Sequence, residues 1–87
     1  MNPKVENIIR ECAAKHNVGF SEVLGKSKRL PIVKARWEAF YRIREELRPL
    51  AVDPNAYSLQ RIGNVFGGMD HTTVLHGINR HAKGLGQ

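Results

Sequence analysis

The sequence predicts an all-helical domain that closes on a helix-turn-helix, and three observations carry the prediction. Leu59, Ile62, Val65 and Phe66 share one helical face, Gly67-Gly68 follows, and Val74, Leu75, Ile78 and Ala82 then form a second apolar face. Near the start, Val5, Ile8, Ile9 and Cys12 recur at i, i+3, i+4 and i+7. Between these stretches, Ile32, Ala35, Ala39, Phe40, Ile43 and Leu47 fall on one face of a longer helix. The 87 residues suit one small domain, 1–87, and leave no room for a second, catalytic one. A domain of this size buries only about 60–65% of its unfolded surface, so its stability should be modest.

Each element has local signals. Asn2 suits the N-cap of the first helix and Pro3 its first position. Cys12 lies on the apolar stripe and reads as a buried structural thiol, and His16 as a helix-end histidine packed beside the core. Asn17-Val18-Gly19 breaks the helix, and Phe20–Leu24 is a short second one. Gly25 to Pro31 is a loop carrying Lys26, Lys28 and Arg29. Pro31 opens the third helix, which should run to about Arg48, before Pro49. Arg36 falls within its apolar face; the stem is expected to pack while the guanidinium leaves over the helix end. Trp37 sits at the edge of that face, a core or rim position. Leu50 to Tyr57 is a loop punctuated by proline and asparagine.

Ser58 caps the fourth helix, and Gly67-Gly68 ends it because glycine reaches positive φ without steric cost. Gly63, inside that helix, costs about 1 kcal/mol relative to alanine, and close packing of the two motif helices would justify it. Asp70 caps the last helix. After Ala82 the chain should fray, with a flexible tail from about residue 84 to 87.

Charge narrows the function. The net charge of +6 and the isoelectric point near 10.0 point to nucleic acid or to an anionic membrane surface. No apolar run approaches the roughly 20 residues of a membrane span, and the N-terminus lacks a signal peptide's apolar core. A single cysteine excludes an intrachain disulfide and fits the cytoplasm. Gly25-Lys26-Ser27 imitates the tail of a P-loop, but Phe20 stands where that motif needs glycine and no strand precedes it, so no nucleotide is expected. His71, His76 and His81 are spaced by five, about 140° of helical rotation per step, and cannot share one metal ion from one helix. With no acid pair, serine triad or cysteine–histidine pair, an enzyme is not expected, nor is a cofactor.

The first turn of the last helix carries Asp70, His71, Thr72 and Thr73. This is where a recognition helix meets base edges in the major groove. Asp70 either caps its own helix or accepts a hydrogen bond from a cytosine amino group; His71 suits a guanine or thymine acceptor, and threonine offers a hydroxyl and a methyl. His76, Arg80 and Lys83 lie outward, where phosphate contact and plain solvation compete. Lys26, Lys34 and Ser58 complete the candidate phosphate contacts.

Phe66-Gly-Gly-Met-Asp-His-Thr-Thr-Val-Leu-His76 resembles the signature of the C-terminal DNA-binding domain of bacterial replication initiators of the DnaA family, Phe-Gly-Gly-Arg-Asp-His-Thr-Thr-Val-Leu-His. Met69 alone departs, standing where the family has an arginine close to the DNA, and a looser resemblance runs from about Ile8 to Arg80. It implies a Trp-repressor-like fold of the initiator's domain IV kind, in which Asp70, His71 and Thr72 contact bases and Thr73 lies nearer the backbone. It implies that an arginine of the basic loop enters the minor groove, here Arg29 or Lys28. Arginine suits a narrow groove better, being more weakly hydrated. The Ala35-Arg36 pair is likewise a family feature and assigns Arg36 to a backbone phosphate, while the Leu50–Tyr57 loop looks longer than the family's connection.

The function so implied is binding of duplex DNA by a single unit, at sites similar to the initiator's box, in control of replication initiation or transcription. The start methionine and the Asn2-Pro3 cap favour a stand-alone protein over an excised piece, either nucleoid-associated or phage-encoded in a bacterial host. The alternative is a protein-interaction adaptor on a degenerate helix-turn-helix.

Overall fold

The computed structural model describes residues 1–86, and all their regular structure is helical. The helices are α1 (Pro3–Lys15), α2 (Phe20–Leu24), α3 (Leu30–Arg42), α4 (Leu59–Val65) and α5 (His71–Gly84). α3 is the hub, packing against α1, α2 and α5, while α4 packs on α5. Val5, Ile8, Ile9 and Cys12 from α1 meet Ala35, Ala39, Phe40 and Ile43 in one core, which Val23, Ile62, Phe66 and Val74 complete. Phe40 and Phe66, both fully buried, meet edge to face with centroids 4.7 Å apart, which ties the turn of the helix-turn-helix to α3.

Local chemistry sets the element ends. Asn2 Oδ1 accepts from the Lys4 amide at 2.8 Å, and Asn2 Nδ2 donates to the Tyr57 hydroxyl at 2.9 Å, so the cap of α1 also pins the loop before α4. Asn17, at φ 57°, lets the chain leave α1 through the left-handed region. Glu22 Oε1 accepts from the Gly19 amide at 2.8 Å and closes the start of α2.

Three expectations need correction. The third helix begins at Leu30, with Pro31 in its first turn, and its α-helical part ends at Arg42. Ile43–Leu47 then forms a π-helical turn and Arg48–Leu50 a 3₁₀ turn that takes in Pro49. The wide turn accommodates an extra residue while Ile43 and Leu47 both stay buried. Leu75 is 44% exposed and does not belong to the buried face of α5. That face is centred on Val74 and Gly77, one helical step round; a glycine adds nothing to an apolar stripe, so the sequence pattern pointed to the wrong flank. Lastly, α5 continues through Gly84 rather than fraying after Ala82; of the tail expected at 84–87, Gln87 lies outside the described residues.

Candidate nucleic-acid interface

The two helices of the motif are locked by backbone. Gly67 and Gly68 take φ 75° and 81°, turning the chain sharply after Phe66. The Gly63 carbonyl accepts from the amides of Phe66 (3.0 Å), Gly68 (3.1 Å) and Met69 (2.9 Å). A Cβ at Gly63 would collide with the Met69 carbonyl oxygen, so α4 and the turn touch backbone to backbone. The close packing expected of this glycine is therefore present.

Ser58 Oγ accepts from the Arg61 amide at 3.2 Å and starts α4. Asp70 Oδ2 accepts from the Thr72 amide at 3.1 Å and starts α5. Hydrogen bonds from Thr72 hold the Asp70 carboxyl below its ordinary range, and His71 Nδ1 lies 3.4 Å from its other oxygen. Asp70 is thus an ionised, exposed cap. Asp70, His71, Thr72 and Thr73 are all exposed, on a turn whose backbone is fixed at both ends. Met69 points the other way, half-buried against the core.

The basic loop lies between α2 and α3. Lys26, Lys28 and Arg29 are exposed, and the Arg29 amide donates to Ser27 Oγ at 3.2 Å. The Arg29 guanidinium is only loosely held, 4.0 Å from Glu22 Oε2. Arg36 corrects an expectation. Its guanidinium does not leave over the helix end; the residue is 6% exposed and turned inward. Nε donates to the Val23 carbonyl at 2.9 Å, Nη1 to the Ser27 carbonyl at 3.1 Å and Nη2 to the Glu22 carbonyl at 3.5 Å. The acceptors lie at the C-terminus of α2 and just beyond it, where carbonyls carry partial negative charge; that of Glu22 also accepts from the Gly25 amide at 3.1 Å. Burial lowers the pKa of Arg36, yet an arginine stays charged.

Lys34 and Arg80 line one groove beside Trp37. The Arg80 guanidinium carbon stands 5.9 Å from the Trp37 ring, and the His76 ring meets that indole edge-on at 6.2 Å. Ser58 and His71 line a second, open cleft together with Arg44, Arg48 and Arg61. Those three arginines were missed at the sequence level. Arg44 and Arg48 stand four apart, a spacing that places them on one helical face. Burial and the Arg48 charge lower the pKa of Arg44, which marks a positive locus, whereas Arg61 is paired with Asp53 at 3.3 Å.

The buried carboxylate of Glu38 belongs to the fold. It takes hydrogen bonds from Lys15 at 3.0 Å and His16 at 2.8 Å, joining α1 to α3. Burial and then Glu38 push the Cys12 thiol up to about 11, leaving an inert side chain. Among the described residues no group of three histidine, cysteine or acidic side chains is placed to hold a metal ion, and no helix is long and apolar enough to cross a membrane.

A short capped helix, a two-glycine turn and a second helix with an exposed polar first turn define the class: a helix-turn-helix domain of the kind that docks on DNA. The chain belongs to the family described as bacterial dnaA protein helix-turn-helix, which matches residues 5–80, and membership implies DNA binding through this motif. The chromosomal replication initiator protein DnaA of Ralstonia nicotianae is 37% identical over 78 residues, covering 90% of this chain and 13% of that protein. Its counterpart in Rhodopseudomonas palustris is 38% identical over 77 residues, covering 88% of this chain and 15% of the relative. That of Bradyrhizobium sp. is also 38% identical over 77 residues, with 88% and 14% covered. The chain spans less than a sixth of the length of these relatives. No solved structure shows a significant match.

Proposed function

We propose that residues 1–87 form one sequence-specific module for double-stranded DNA, acting at sites similar to the initiator's box in control of replication initiation or transcription. The observation that carries the reading is the exposed, capped turn Asp70–Thr73 on a rigid helix-turn-helix that also bears an exposed basic loop. The first turn of α5 enters the major groove. Asp70 Oδ1 accepts from a cytosine amino group, while His71 and Thr72 read neighbouring bases. Arg29, with Lys28 beside it, reaches into the adjoining minor groove. Lys26, Lys34, Ser58, Thr73, His76 and Arg80 hold phosphates and set the register. The module binds as a single unit, needs no nucleotide or cofactor, catalyses no reaction, and works in the bacterial cytoplasm, either nucleoid-associated or phage-encoded in a bacterial host.

Selection of bound duplexes from a random library tests this directly. About five phosphate contacts would give a log–log salt slope near −4 to −5. His71→Ala should lose about 1–3 kcal/mol on the selected duplex and less on random DNA. A slope near zero would overturn the reading and point to a protein-binding adaptor. Equal losses on both DNAs would remove His71 from base readout.

A further inference from the structure

We propose that Arg36 is the positioning residue of the basic loop: it clamps the end of α2 and the loop into the one shape in which Arg29 and Lys28 read the minor groove. The inference rests on the DNA-binding reading above and adds a device to it. α2 has only five residues, so it satisfies few of its own carbonyls. The guanidinium of Arg36 grips three of them or their continuation: Glu22, Val23 and Ser27. The first two lie in α2 and the third in the loop. One planar fork therefore sets the angle at which the loop departs.

The grip passes on to the side chains that matter. Holding the Ser27 carbonyl fixes the backbone of Ser27, whose Oγ in turn takes the amide of Arg29 at 3.2 Å. The Arg29 head has no comparable anchor, its ion pair to Glu22 being 4.0 Å long. The aim of Arg29 and Lys28 is thus set by backbone, and Arg36 sets the backbone. A buried charge facing neutral carbonyls is costly unless it is well hydrogen-bonded, which argues for a specific task at this position over generic packing. The recognition helix is held separately, through the Gly63 carbonyl and the Phe40–Phe66 contact. Loosening the loop should leave that half of the reading intact.

Arg36→Met and Arg36→Lys in the full chain test the clamp. Methionine keeps an apolar stem and removes all three donors; lysine keeps the charge but offers one nitrogen in place of three. In the free protein, trypsin cleavage after Lys26 and Lys28 should accelerate about tenfold in both variants, as a lost charge-assisted hydrogen bond implies. Cleavage after Arg80 should not change. On the library-selected duplex, both variants should lose at least about fivefold of their discrimination between A·T and G·C pairs at the minor-groove flank. Discrimination at the major-groove positions and the salt slope should hold.

A direct phosphate contact would look different: Arg36→Met would lower the slope by about one, Arg36→Lys would restore it, and flank discrimination would survive. That result overturns the proposal, as does wild-type loop cleavage in both variants. So does global unfolding of Arg36→Lys, which would make the residue a general core element. If the wild-type protein binds no duplex, the DNA-binding reading falls and the proteolysis alone decides the clamp.

Discussion

Gly63→Ala separates local propensity from tertiary fit. In an exposed helix interior the change should stabilise by about 1 kcal/mol, because alanine loses less backbone freedom. Gly63 is buried, and the added Cβ would run into the Met69 carbonyl oxygen, which is backbone and cannot swing aside. Overpacking at such a site costs about 3 kcal/mol, the upper end of the usual range, so the net loss is about 2 kcal/mol. For a domain of this size that lowers the melting temperature by about 8–16 °C. The same shift moves Met69 and the Asp70 cap, so affinity for the selected duplex should fall as well. Gly84 supplies the control: a Cβ there meets nothing within 4 Å, and Gly84→Ala should melt at or slightly above the wild-type temperature. Thermal unfolding followed by circular dichroism measures both. A Gly63→Ala variant that melts no lower than wild type would refute the backbone contact.

Met69→Arg exchanges a half-buried apolar contact for a charge and should cost about 1 kcal/mol, a melting point about 4–8 °C lower. An unchanged melting point would show that Met69 does not pack inward, and a DNA titration of the same variant asks whether arginine there tightens binding, as the family pattern implies. Stability should fall on acidification. Burial depresses His81 from its ordinary value of 6.5, so its contribution is present above that pH and is lost as the pH falls through it. For Glu38, burial raises the carboxyl, but the hydrogen bonds from His16 and Lys15 outweigh it; the depressed group stabilises above its ordinary value of 4.5 and loses that contribution as the pH falls below it. Melting curves from pH 7 to pH 3 check the sign, and His81→Gln should flatten only the upper part of the fall. Greater stability at pH 5 than at pH 7 would contradict the His81 assignment, and no further loss below pH 4.5 would contradict that of Glu38.

The helices and their caps were legible in the sequence because they are local. Apolar residues three and four apart place a stripe, and Asn2, Ser58 and Asp70 each cap a helix by bonding an amide two or three residues away. The glycine pair needed only its own φ, and the motif around His71 sits on one turn. What failed at that level depended on partners distant in sequence. Leu75 and Gly77 could be told apart only by where Trp37 and Phe40 lie, since a Cβ at Gly77 would approach Phe40 Cδ2 to 2.8 Å. Glu38 was not singled out because its partners are 22 and 23 residues away. Arg36 has its place on α3 written in the sequence, but not its direction. Its three acceptors lie 9, 13 and 14 residues earlier, on another helix and its loop. Periodicity places a side chain on a face of its own helix; which unpaired groups wait opposite that face is decided only when the helices meet.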